Sequence, residues 1–124
     1  MGSDLSDLHI LIVEDQILIA MDLQATLLDA GANEVATSSS LADGLLQISV
    51  KRPSVAILDV DLGKDTSLPI ADLLLSLNVP FIFATGYGEG GTIPPRFSAI
   101  HVVKKPYDSA SILEKVRAAL QRAA

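Results

Sequence analysis

The sequence has no cysteine and no tryptophan among its 124 residues, and only 4% of it is aromatic. Without thiols there is no disulfide, no thiolate metal site and no cysteine nucleophile, and the composition suits a reducing cytoplasm. Positive charge is scarce as well. Nine Lys and Arg against fifteen Asp and Glu leave a formal net charge of −6, and no Lys/Arg run is longer than two (Lys51-Arg52 and Lys104-Lys105). That argues against the basic footprint by which proteins hold nucleic acid. No apolar run approaches the ~20 residues that span a bilayer. The start, Met1-Gly2-Ser3-Asp4, lacks the basic-then-apolar order of a secretory signal. The expectation is a soluble, cytoplasmic protein with neither nucleic acid nor membrane as a partner.

What is present is aliphatic. Hydrophobic residues make up 49% of the chain, chiefly Leu, Ile, Val and Ala, enough for the core of one compact domain. Residues 1–8 read as an N-terminal tail and 9–124 as the domain. His9 to Val13 is a near-continuous apolar run, as in a strand buried on both faces. Ile17 to Ala30 is a helix with apolar positions at Ile17, Met21, Leu27 and Leu28, stopped by Gly31. Glu34–Thr37 reads as a second strand, and Leu41, Leu45 and Ile48 mark a second helix that ends before Pro53. Val55–Leu58 is a third strand with Asp59 at its end. Pro69 lies in the first turn of a third helix running to about Leu77. Phe81–Ala84 and Ile100–Val103 are strands four and five, and Ser109 is the expected N-cap of a last helix carrying Ile112, Leu113, Val116, Ala119 and Leu120.

Between strands four and five, Gly86, Gly88, Gly90, Gly91, Pro94 and Pro95 fall within ten positions. That composition resists a regular helix, so the fourth helix is expected to be short, displaced or irregular. The alternation predicts an α/β fold, a mostly parallel five-stranded sheet with helices on both faces; the flavodoxin-like form of such doubly wound sheets runs in the order 2-1-3-4-5. In such sheets ligands bind beyond the C-terminal strand ends.

Those ends carry the polar residues. Glu14-Asp15 follows strand one, Asp59 ends strand three, Thr85 follows strand four and Lys105 follows strand five. Three carboxylates on one rim repel unless a cation neutralises them, and an oxygen-only donor set points to a hard ion such as Mg²⁺. Each residue also has a plainer reading. A strand-end Asp can cap a helix, Glu14-Asp15 can favour the following helix dipole, and Thr85 can be an ordinary strand residue. Alternation puts Lys104 and Lys105 on opposite faces, one of them a solvated surface charge. His9 and His101 have no ligand spacing around them, and Gly86–Gly91 lacks the Lys-Ser/Thr of a phosphate loop.

Taken together, the acidic pair, Asp59, Thr85 and Lys105-Pro106 resemble the receiver domain of bacterial response regulators, over nearly the whole chain from His9 to Arg122. The resemblance implies that Asp59 accepts a phosphoryl group from a sensor histidine kinase. It also implies that Asp15 binds Mg²⁺ directly, Glu14 through water, and that Asp59 and the Asp61 backbone carbonyl are further ligands. Lys105, rather than Lys104, would pair with Asp59 or its phosphate, and Thr85 would hold the phosphate.

Phe83-Ala84-Thr85-Gly86-Tyr87-Gly88 further resembles the Phe-Ala-Thr-Gly-x-Gly signature of a receiver subgroup linked to kinases of the HWE and related classes. Val102 stands where most receivers carry the aromatic switch residue, and Tyr87, beside Thr85, is a candidate to replace it. The expected protein is a phosphorylation-switched regulator, a single-domain regulator or phosphate sink acting through protein contacts, with no enzymatic turnover beyond its own phosphorylation and dephosphorylation. Two other classes compete: an Asp-nucleophile phosphotransferase or phosphatase, with Asp61 as nominal acid, and a phosphate-independent interaction module.

Overall fold

Burial in the strands divides the fold into two sides. The computed structural model describes residues 5–86, 93–105 and 108–123, with side chains as far as Gln121. In β1 (His9–Val13) four of five residues are buried, and in β3 (Val55–Asp59) and β4 (Phe81–Thr85) all five are, as a parallel sheet covered on both faces requires. With β2 (Glu34–Ser38) and β5 (Val102–Lys104) they form one parallel sheet in the order β2-β1-β3-β4-β5, as expected.

Alternate residues serve opposite faces. Ile10, Ile12, Val55, Ile57, Ile82, Ala84 and Val103 pack with Leu23 and Leu27 of α1 (Ile17–Asp29) and Ile112 and Val116 of α4 (Ser109–Ala123). Leu11, Val13, Ala56, Leu58, Phe81 and Phe83 pack against Ile48 of α2 (Leu41–Val50) and Ile70 and Leu74 of α3 (Leu68–Ser76). Each such Val, Leu, Ile or Phe side chain removed from water contributes about 1.5–3 kcal/mol.

Several local expectations change. Leu5, inside the stretch read as a tail, is fully buried in the α1/α4 core. The packed unit therefore begins before His9. In α1 the buried residues are Ala20, Leu23 and Leu27, while Ile17, Met21 and Leu28 stand exposed. Strand five starts at Val102 rather than Ile100, whose N–H is still held in a turn by the Phe97 carbonyl at 2.9 Å.

Ser109 does not cap α4. Asp108 does: its Oδ1 accepts the Ser111 N–H at 2.8 Å and its carbonyl accepts the Ile112 N–H at 3.2 Å. A carboxylate at that position also complements the helix dipole.

The connection from β4 to β5 has no regular helix among its described residues, only a 3₁₀ turn, Pro95–Phe97. Phe97 is buried edge-on against Phe83 and Phe81, with ring centres 5.4 and 6.3 Å apart. Arg96 grips Asp72 of α3 with two hydrogen bonds of 2.9 and 3.0 Å. Beyond β3 the chain forms a small antiparallel hairpin, Asp61–Leu62 with Asp65–Thr66, turned through Gly63 at φ +84°. That conformation favours glycine.

Candidate functional site

The rim at the C-terminal strand ends brings together residues far apart in sequence. Glu14, Asp15 and Asp59 each place a carboxylate oxygen within 4.8 Å of the others. β1 ends at Val13, where it pairs with Leu58 of β3, and the Glu14 N–H continues the ladder to β2 by donating to the Ser38 carbonyl at 2.9 Å, so Glu14 is held next to the end of β3. The Val60 N–H donates to the Ala84 carbonyl at 3.1 Å, and the Lys105 N–H to the Thr85 carbonyl at 2.7 Å. Backbone ladders, continued one residue past the strands, thus set Glu14, Asp59 and Lys105 at one point.

Lys105 reaches into the cluster. Its Nζ lies 2.7 Å from Glu14 Oε1 and 3.2 Å from Asp59 Oδ2, while Lys104 is exposed. Of the two lysines, geometry selects Lys105. Glu14 and Asp59 are only 2% and 4% exposed, and Asp59 Oδ1 is buried with no hydrogen-bond partner. Burial, then the nearby Glu14 carboxylate, push the Asp59 carboxyl up to about 7 against the pull of Lys105. Burial and Glu14 likewise raise the exposed Asp15. Burial works against charge on Lys105, but Glu14 and Asp59 outweigh it and hold the ammonium above its ordinary range.

Thr85 is fully buried, and its hydroxyl has no partner. By strand alternation it shares the side of Phe81 and Phe83, away from the carboxylates. Asp61 is exposed and folds onto its own loop, Oδ1 accepting the Gly63 N–H at 3.1 Å. Its carboxylate is not one of the clustered three. Val102 is half-buried against the Phe-rich core. Tyr87 and Pro106 lie outside the described residues.

Two contributors escape the strand-end reading. The Gly63 turn closes over the acids, so that a Cβ there would sit 3.7 Å from Asp15 Oδ2. Gln16 donates its N–H to Glu14 Oε2 at 3.2 Å. The Asp61-Leu62-Gly63 run carried a turn signal, whereas nothing in the sequence marked Gln16.

The donor set suits Mg²⁺: three carboxylates, oxygen only, with Glu14 Oε1 and Asp59 Oδ1 buried and accepting no hydrogen bond, and no His or Cys among them. The family model of the response regulator receiver domain matches residues 10–117. The chain belongs to that family. Receiver domains work in two-component signalling, are phosphorylated by histidine kinases and generally bind Mg²⁺ at an acidic pocket.

Among relatives, the phyllosphere-induced regulator PhyR of Methylorubrum extorquens is 32% identical over 115 residues, covering 90% of this chain and 43% of that protein. The sensory transduction protein LytT of Bacillus cereus is 26% identical over 113 residues, covering 89% and 46%. The chain thus spans less than half the length of these curated relatives. The solution structure of SdrG from Sphingomonas melonis Fr1 matches at 35% identity and a TM-score of 0.80, over 91% of this chain and 95% of that one. No described helix is long and apolar enough to cross a membrane.

Proposed function

We propose that this receiver domain accepts a phosphoryl group on Asp59 from a sensor histidine kinase. The observation that carries the reading is Asp59 itself: buried, one oxygen unpartnered and the other paired with Lys105. The unpartnered Oδ1 is the nucleophile that attacks phosphorus, and the donor's histidine nitrogen leaves. Lys105 neutralises charge on the phosphoryl oxygens, and a Mg²⁺ ion held by the acidic residues would supply further positive charge there, so catalysis is positioning plus electrostatics. Asp15 and Asp59 would hold the ion, with Glu14 and the Asp61 carbonyl as the remaining ligands that the family resemblance implies. Thr85, with its free hydroxyl, is suited to turn inward and donate to the phosphate, which makes phosphorylation a conformational signal.

An apolar stripe supports a protein donor. Ile17, Leu18, Met21, Ala25 and Leu28 are exposed along one side of α1, beginning two residues after Asp15. A run of this kind marks an interaction surface.

The Phe83–Gly88 sequence and the SdrG likeness favour the Phe-Ala-Thr-Gly-x-Gly subgroup and an HWE-type or related kinase. The near-complete coverage of SdrG favours a single-domain regulator or phosphate sink acting through protein contacts. No turnover of small phosphomonoesters is expected, because the site serves one carboxylate that keeps its phosphate. Intact-mass spectrometry after acetyl phosphate and Mg²⁺ should add one phosphate to the wild type and none to Asp59→Asn. Equal labelling of both proteins would refute the assignment.

A further inference from the structure

The open side of the sheet is β2, which among the described residues pairs with β1 alone. In a parallel ladder alternate residues of a strand turn their backbone groups to opposite sides. The Glu14 N–H reaches the Ser38 carbonyl, so Glu34, Ala36 and Ser38 face β1, while Val35 and Thr37 face outward. An exposed row of such groups is a template on which another chain can pair.

Here both outward carbonyls are occupied, from opposite faces of the sheet. Gln24 of α1 donates its side-chain amide to the Val35 carbonyl at 2.9 Å, and Gln47 of α2 donates to the Thr37 carbonyl at 2.9 Å. A carbonyl only accepts, so the orientation of each amide is fixed. Gln47 also donates to Asp43 Oδ2, one helical turn back, at 2.9 Å, which aims the side chain at the strand. At the head of β2, Lys51 holds Glu34 at 2.6 Å. Side chains from both flanking helices thus close over the edge.

The blocked acceptors are the ones a second copy would need. Antiparallel pairing of two β2 strands about Ala36 sets Val35 of each chain against Thr37 of the other, and such a pair exchanges its N–H and carbonyl groups. Glu34 then lies opposite Ser38, so no like charges meet. Exposed apolar side chains flank both amides, Met21 and Leu28 beside Gln24 and Val50 beside Gln47, at helical spacings of three and four. They would favour association once the edge opened.

We propose that Gln24 and Gln47 are latches that keep the β2 edge shut, and that the partner they exclude is a second copy of this chain. The inference stands apart from the chemistry at Asp59. With the edge shut, association of this chain is left to its helix faces.

The test compares the wild type, Gln24→Ala/Gln47→Ala, and the same double variant carrying Thr37→Pro. Alanine removes the amides and keeps helix propensity, while proline removes an outward N–H without touching the ladder to β1. In the wild type the Val35 and Thr37 amides should exchange with solvent at rates independent of protein concentration. In the double variant their exchange should slow by at least about tenfold as concentration rises, and sedimentation velocity should show a dimer growing in step. Adding Thr37→Pro should return the sedimentation to that of the wild type.

A folded double variant whose two amides exchange as in the wild type at every concentration would overturn the proposal. So would a dimer that survives Thr37→Pro, or a wild type in which the two amides are already protected as concentration rises. Should the double variant fail to fold, either single variant, which frees one carbonyl, is held to the same outcomes.

Discussion

Replacing Asp59 by Asn should stabilise the protein at alkaline pH. Asp59 is 4% exposed, and its carboxyl is raised from 3.8 to about 7 by burial and by Glu14. A folded-state value above the unfolded one means that the native protein binds the proton more tightly. Stability from this group is therefore present at low pH and is lost as pH rises from about 4 to about 7. At face value such a displacement corresponds to roughly 4 kcal/mol. Lys105, 3.2 Å away, and the open mouth beside exposed Asp15 screen part of it, which leaves ~1–3 kcal/mol.

Asn keeps the shape and removes the charge, and Lys105 stays paired with Glu14 at 2.7 Å. Thermal denaturation without Mg²⁺ at pH 8 should show Asp59→Asn melting higher by ~3–6 °C for each kcal/mol gained. At pH 4 to 5 the two proteins should converge, since native Asp59 is then protonated. Adding Mg²⁺ at pH 8 should raise the wild type alone, because the ion binds the native carboxylates. A variant that melts below the wild type at pH 8, or an advantage unchanged at pH 4, would refute the reasoning.

Thr85→Val should keep stability or gain up to ~1 kcal/mol by removing a buried, unpartnered hydroxyl. It should still take up phosphate but show smaller phosphorylation-induced amide shifts around Phe97, checked by beryllofluoride-titrated NMR. Leu18→Asp and Met21→Asp, on the exposed α1 stripe, should slow transfer from a histidine kinase by at least about tenfold. Labelling by acetyl phosphate should be unchanged in both, and equal loss with the two donors would argue against docking there. At Gly44 an added Cβ would lie 2.6 Å from Ile70 Cδ1 and 3.6 Å from Val13 Cγ2. Gly44→Ala should stay within about 1 kcal/mol, helped by helix propensity, whereas Gly44→Val should cost about 2–3 kcal/mol by overpacking, read from urea midpoints.

The alternation of short aliphatic runs with helical stretches determined a parallel sheet with two covered faces, because a strand buried on both sides must be apolar throughout. The same logic put Glu14, Asp15, Asp59 and Lys105 on one rim, since each follows a strand of known direction. Local patterning failed where tertiary contacts decide. Ile17, Met21 and Leu28 are as apolar as Leu27, yet only the sheet's position chose Ala20, Leu23 and Leu27 as the inner face. Ser109 looked like a cap, but the carboxylate one residue earlier reached the helix N–H groups first. Leu5 lay in a polar stretch with no period to reveal that the α1/α4 core would enclose it. Sequence therefore named the acidic site and its residue types. Only the folded chain decided that one ammonium would stand between Glu14 and Asp59, closer to the former, because that distance depends on ladders joining β1, β3, β4 and β5 across the whole sheet.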